Sequence, residues 1–417
     1  MIKNRTAILV LLTGLNLLNY IDRYIVAAVL VKIKGPVAEG GLDLSNGQAG
    51  LLATAFLLGY FLTSPLFGAR ADKGARKGLI ALGVGVWSFA TLATGLVDSF
   101  ALLLGARIVV GIGEASYATL APTIIDDLTP PHQKGRALAI FYLAIPVGSA
   151  LGFVLGSVIE ARWGWRAAFY ICGGPGLVLA LTCLLIAEPE RKLREAHGKI
   201  LDGLRTLAKL PLFRRAVLGY CAYTAALGGF SYWAPTFLAE RFPHQLTLVT
   251  VNTYLGAVTV IAGIVGTVIG GRWADATQRH APVAADTPYD APANKRGTNE
   301  LLRICAIGMV IATPLTAAAF LMPMPVGFYV AALFAQIGLF LSTSPVNAIG
   351  LRAVPPELRA SAMAAMIFAI HLFGDLWSPY VLGVLLDHVV ATVAMMALPV
   401  TFALSAYLWW PRRREAE

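Results

Sequence analysis

The chain has 417 residues, 57% of them hydrophobic and only 13% charged, with a formal net charge of +10. Soluble domains carry about 25% charged residues, so the composition excludes a water-soluble enzyme or binding module. The basic residues spread over many short segments between apolar blocks, which argues against a nucleic-acid site. The blocks are long enough to cross a bilayer as helices, and they lack the short alternating segments of a membrane barrel.

Twelve spans are predicted, beginning near Thr6, Gly47, Lys77, Phe100, Gly135, Arg166, Phe213, Leu248, Leu301, Val326, Ala360 and Val389. The first follows Lys3 and Arg5, like the start of a signal peptide. It is too long for one, contains Asp22 and Arg23, and lacks a small-residue cleavage site, so it is expected to be retained. The loops after the even-numbered spans hold most of the Lys and Arg, for example Arg70, Lys73, Arg76, Lys77, Lys134, Arg136, Arg191, Lys192 and Arg194. By the positive-inside rule both termini are expected in the cytoplasm, with the protein in the plasma (inner) membrane. Cys172, Cys183, Cys221 and Cys305 all fall inside spans without metal or redox spacing, and read as packing residues.

The chain repeats itself. Gly68 to Lys77 after span two is matched by Gly271 to Asp275 after span eight, and Pro130-Pro131 after span four by Pro355-Pro356 after span ten. Two matched pairs in the same order predict an all-α polytopic membrane protein with twelve transmembrane helices in two six-helix pseudo-symmetric halves, 1–187 and 213–417. Parallel repeats of this kind are a transporter architecture. Between the halves, 188–212 is expected to be a cytoplasmic linker carrying an amphipathic helix, with Leu193, Ile200, Leu204 and Leu207 near helical spacing.

The segment Gly68-x-x-x-Asp72-Lys73-x-Gly74-x-Arg76-Lys77 resembles the signature loop of the major facilitator superfamily, and Arg107-x-x-x-Gly111-x-Gly113 its second common motif. Leu18 to Tyr24, Gly113 to Ile125 and Phe141 to Ser149 resemble the spinster family. Span five has Gly148, Gly152 and Gly156 but not the Gly-Pro pair of the superfamily's antiporter pattern. The resemblance implies a secondary carrier of amphipathic lipids, since animal members are associated with sphingosine phosphate or lysophospholipids and bacterial members with the proton gradient. No cofactor is implied. Membrane lipids, protons and the transported molecule are the expected partners, and the chain is expected to act as a monomer.

The charged residues inside the spans point to proton coupling on their own. An ionised side chain at mid-membrane costs at least about 3 kcal/mol, so such groups face partners or water-filled paths. Asp22 lies roughly 24 Å from the start of span one, and Glu114 and Arg107 roughly 18 and 28 Å from the end of span four, which puts them with Arg23 in one slab. Arg107 and Glu114 are two turns apart on one helix face. A carboxylate beside an arginine stays ionised, and one left alone in an apolar surround takes up a proton. Asp22 and Glu114 are therefore the expected proton carriers, with Arg107 pairing with one or both; a static buried salt-bridge network is the competing reading. Arg23, with Asn19 and Tyr20, is a candidate for an anionic head group, and Arg23 can equally snorkel.

Gly68, Asp72, Arg76 and Asp275 are expected to form a cytoplasmic gate, with Asp72 capping the N-terminus of span eleven near Ala360; a simple basic turn is the alternative. Tyr117, Tyr142, Phe230, Trp233, His371 and Trp377 are candidates to line a cavity, against the more common packing role of membrane aromatics. His371 is either a second proton-responsive group or a packed histidine satisfied by Asp375, one turn away. No nucleophile–base pair, metal cluster or phosphate-binding loop is evident, so neither an enzyme nor an ATP-driven pump is expected. A proton-coupled drug or small organic-anion transporter is the alternative within the same fold.

Overall fold

The computed structural model describes residues 1–71, 76–130, 133–187, 200–280, 288–355 and 358–411. Regular structure among them is helical, apart from one β-bridge between Ile2 and Ile186. The helices are α1 (Arg5–Ile33), α2 (Asn46–Ala71), α3 (Arg76–Thr94), α4 (Phe100–Leu128), α5 (Lys134–Trp163), α6 (Trp165–Cys183), α7 (Ile200–Lys209) and α8 (Pro211–Arg241). They continue as α9 (Leu248–His280), α10 (Pro292–Leu321), α11 (Pro325–Leu341), α12 (Thr343–Arg352), α13 (Arg359–Ile370), α14 (Ser378–His388), α15 (Ala391–Met395) and α16 (Ala397–Trp409).

Among the described residues, eleven helical segments are long and apolar enough to cross a membrane, with α11 and α12 forming one of them. The expected seventh span, α8, is long enough at 31 residues. Its stretch from Tyr220 to Tyr232 is rich in Gly and in Tyr, Thr and Ser hydroxyls, which makes it the least apolar of the set. Helix α7 falls where the amphipathic linker helix is expected.

The chain forms two compact units, Met1–Arg194 with Ser231–Ala257 and Pro379–His388, and Glu195–Phe230 with Val258–Ser378 and Val389–Glu417. The break after Arg194 falls inside the sequence division at 188–212, but two stretches of the later half group with the first unit. The later part of α8, the start of α9 and most of α14 group with the first unit because they bond to its helices.

Within the first unit, α1 lies directly on α5. A Cβ at Gly148 would stand 2.8 Å from the Leu17 carbonyl, and one at Gly152 2.7 Å from that of Ile21. These small residues let α1, which carries Asn19 to Arg23, approach backbone to backbone. At the end of the unit holding Met1, Arg76 bonds Asp127 at 2.7 Å and Thr123 at 3.0 Å, and Lys134 pairs with Asp126 at 2.6 Å.

The opposite end, around Gly40, is tied more elaborately. Ser45 and Gln48 form a reciprocal capping box at the start of α2. The Asp387 carboxylate accepts the Asn46 and Gly47 backbone N–H groups at 2.8 and 2.7 Å. Lys34 reaches both Asn46 Oδ1, at 2.7 Å, and Glu240, at 2.6 Å. Tyr232 donates to the Ala49 carbonyl and Trp233 to that of Pro379. A Cβ at Gly383 would lie 2.3 Å from the Asn46 carbonyl, so α14 presses directly on the start of α2.

In the second unit, α10 packs against α11 and α16. Between α13 and α14 the helix widens into one π-turn, His371–Asp375. Gly374 makes room for it, since a Cβ there would meet the Thr224 hydroxyl at 2.1 Å.

Candidate functional site

The ionisable residues of spans one and four meet inside the first unit, between α1, α2, α3 and α4. Two glycines of α4 allow this. A Cβ at Gly113 would stand 2.6 Å from both the Gly83 carbonyl and the Trp87 amide, and one at Gly111 2.0 Å from the Phe56 carbonyl. Without them α4 could not lie in backbone contact with α3 and α2, and Glu114 would sit farther from α1.

Arg23 Nη2 donates to Glu114 Oε2 at 2.7 Å. The Glu114 side chain is fully buried, and that of Arg23 is 23% exposed. Asp22 is 1% exposed, and its Oδ2 accepts the Trp87 indole N–H at 3.2 Å. Asp22 Oδ1 and Glu114 Oε1 have no hydrogen-bond partner among the described residues. Arg107 is also buried. It makes no hydrogen bond or ion pair among the described residues, and its guanidinium carbon lies 4.9 Å from the centre of the Phe56 ring. Arg23 stacks over rings as well, 4.9 Å from Tyr20, 4.9 Å from Phe56 and 5.6 Å from Tyr60.

The pairing differs from the one the sequence suggests. Arg23, not Arg107, holds Glu114. Arg107 sits seven residues earlier on the same helix, roughly 10 Å along its axis, whereas Arg23 approaches from a neighbouring helix at the depth of Glu114. Arg23 therefore turns its guanidinium to the buried carboxylate. Its head-group candidates Asn19 and Tyr20 lie beside it: Asn19 is buried with its Nδ2 unpartnered among the described residues, and Tyr20 lies under the guanidinium.

The other candidates scatter. Tyr117 belongs to the core of the first unit: it donates to the Leu12 carbonyl and meets Trp87 edge-on at 5.6 Å. Trp233 is buried and bonded at the Gly40 end. Phe230 packs on Phe320 at 6.1 Å. Tyr142 and Trp377 are half-exposed. His371 Nδ1 lies 3.0 Å from Asp375 Oδ1 within the π-turn, the packed arrangement. Of the gate residues, Gly68 lies inside α2 and Arg76 opens α3. Asp275 is exposed on α9, which runs on to His280 rather than ending in a loop before it. Asp72 lies outside the described residues.

Sequence reasoning missed Trp87, Phe56 and Asp387. Trp87 carried a signal, since a mid-span indole needs an acceptor for its N–H. Among the described residues no group of His, Cys, Asp and Glu could hold a metal ion, and the four cysteines are free and buried.

The model of the Major Facilitator Superfamily matches residues 12–379. The chain is similar to Protein spinster homolog 1 of Rattus norvegicus, 33% identical over 408 residues that cover 92% of this chain and 73% of that protein. It is 31% identical over 387 residues to Protein spinster of Drosophila melanogaster, covering 90% of this chain and spanning only 60% of the fly protein. It is 30% identical over 432 residues to an Arabidopsis thaliana protein named "Probable sphingolipid transporter spinster homolog 2", covering 94% and 84% of the two chains. Among solved structures, a bacterial homologue of the human lysosomal transporter spinster, inward-facing and unoccupied, superposes with a TM-score of 0.81 at 24% identity, covering 98% of this chain and 97% of that one.

Proposed function

Since the chain belongs to the major facilitator superfamily and, within it, to the spinster family, and is thus a membrane transporter rather than an enzyme, we propose that it is a proton-coupled carrier of amphipathic lipids working by alternating access. The observation that carries this reading is the buried Glu114–Arg23 pair beside the buried Asp22. A fully desolvated carboxylate keeps its charge only while its cation stays close. Proton uptake by Glu114 removes the attraction that holds Arg23, and Asp22 supplies a second carboxylate at the same depth. The freed guanidinium is then available to the anionic head group of a lysophospholipid or sphingoid phosphate, to which it can donate two parallel hydrogen bonds. A ligand shifts the balance of states only by its difference in affinity for them.

The name of the Arabidopsis relative supports the lipid class. Gly68, Asp72, Arg76 and Asp275 are proposed as a gate on the cytoplasmic side, with both termini on that side of the plasma (inner) membrane and a monomer as the working unit. Arg107 favours a second reading: a buried cation with no carboxylate partner among the described residues suits a small organic anion. Both readings are tested by uptake into proteoliposomes, using a panel of lysophospholipids, sphingoid phosphates and small organic anions, with and without an imposed pH gradient. Gradient-driven lipid movement supports the first. Gradient-driven movement of the small anions alone replaces it with the second.

A further inference from the structure

One aromatic ring serves both arginines of the site. The centre of the Phe56 ring lies 4.9 Å from the guanidinium carbon of Arg23 and 4.9 Å from that of Arg107. The two cations are therefore no farther apart than twice that distance, with Glu114 bonded to one of them. A guanidinium does not give up its proton, and a buried charge needs a compensating contact. Arg23 has Glu114. For Arg107 the structure supplies the Phe56 ring, whose negative face attracts a cation, more strongly when water is excluded.

The ring is fixed where it stands. Phe56 is 2% exposed. At Gly111 the backbone of α4 meets that of α2 at Phe56 and Tyr60, where a Cβ would come within 2.0 Å of the Phe56 carbonyl and 2.9 Å of the Tyr60 amide. Phe56 is thus anchored to the helix that carries both Arg107 and Glu114. The charged and titratable groups near enough to act on the two arginines are Glu114 and Asp22, the phenols of Tyr20 and Tyr60 at Arg23, that of Tyr232 at Arg107, and Arg23 itself as a like charge on Arg107.

We propose that Phe56 is a positioning residue for the coupling step: its ring compensates Arg107 throughout and keeps hold of Arg23 when proton uptake by Glu114 releases it, so that neither buried cation is left without a compensating contact. This rests on the proton-coupled reading of the site. The test replaces Phe56 with mono-, di- and trifluorophenylalanine, which withdraw π density with little change in size. The readout is the rate of uptake of a fluorescent lysophospholipid with a pH gradient divided by the rate without one. The ratio falls stepwise, by about tenfold across the series, while the unfolding temperature stays constant. Phe56→Tyr keeps the ratio and Phe56→Leu loses it. A flat ratio across the fluorinated series, in a protein whose native form is gradient-driven, overturns the proposal for Phe56 alone. A native protein with no gradient dependence overturns the coupling reading and the proposal together.

Discussion

Arg23 and Glu114, 91 positions apart in the chain, meet at 2.7 Å inside the first unit, while Arg107, on the same helix as Glu114, rests on an aromatic ring. The two arginines therefore play unequal parts. One neutralises a buried carboxylate, and the other is a cation held without one.

That inequality predicts an order of stabilities. Breaking a buried pair by removing one partner costs about 3–5 kcal/mol, because it strands the other charge. Arg23→Met strands Glu114, whereas Arg107→Met strands no carboxylate. Thermal unfolding in detergent is expected to show a large fall for Arg23→Met and a small one for Arg107→Met. The reverse order contradicts the assignment.

Trp87 is the hydrogen-bond donor seen at Asp22. A hydrogen bond to a charged acceptor is worth about 1.5–3 kcal/mol and one to a neutral acceptor about 0.5–1.5. Trp87→Phe is expected to destabilise the protein by about 0.5–3 kcal/mol, the span of the two cases, and by less in an Asp22→Leu background, where the indole has no acceptor. Equal losses in the two backgrounds would mean that the indole acts only by packing.

The glycines of α4 differ in a checkable way. A Cβ at Gly113 meets backbone of α3, while one at Gly105 meets nothing within 4 Å. Gly113→Ala is expected to cost about 1–3 kcal/mol through overpacking. Gly105→Ala is expected to be neutral or stabilising by up to about 1 kcal/mol, as in any helix interior. Denaturation of the two variants side by side separates them.

How far the sequence reached depends on the kind of force involved. The spans were legible because bilayer thickness imposes a length and an apolarity, and α8 stood out only because its hydroxyl-bearing rings and glycines dilute that signal. Asp22, Arg23, Arg107 and Glu114 were legible because charge inside a span is costly. The partner of Glu114 was not: spacing on one helix says which residues share a face, and nothing about which neighbour's side chain arrives at that depth. Phe56 carried no mark distinguishing it from the other rings of the chain. The Ser45–Gln48 box at the start of α2 is local in sequence, but the distant Asp387 that completes its cap depends on how α14 packs. The π-turn at His371–Asp375 left only Gly374 as a trace.

The tie at the Gly40 end gives a prediction about access. A side-chain cap on a helix N-terminus is worth about 1 kcal/mol, and a loss of that size raises an opening equilibrium about fivefold. The native cysteines are buried, so a single cysteine placed at Ala49, itself buried, reports opening by its maleimide labelling rate. Asp387→Ala is expected to raise that rate about fivefold. An unchanged rate would show that the carboxylate does not restrain this end.

The central claim is that Asp22 and Glu114 carry the transported proton. It is tested most directly by recording lysophospholipid-dependent proton movement with a pH-sensitive dye trapped in proteoliposomes, for the native chain, Asp22→Asn and Glu114→Gln. The account predicts a lipid-dependent pH change in the native protein that both variants lose while remaining folded. A native-sized proton signal in both variants would contradict it.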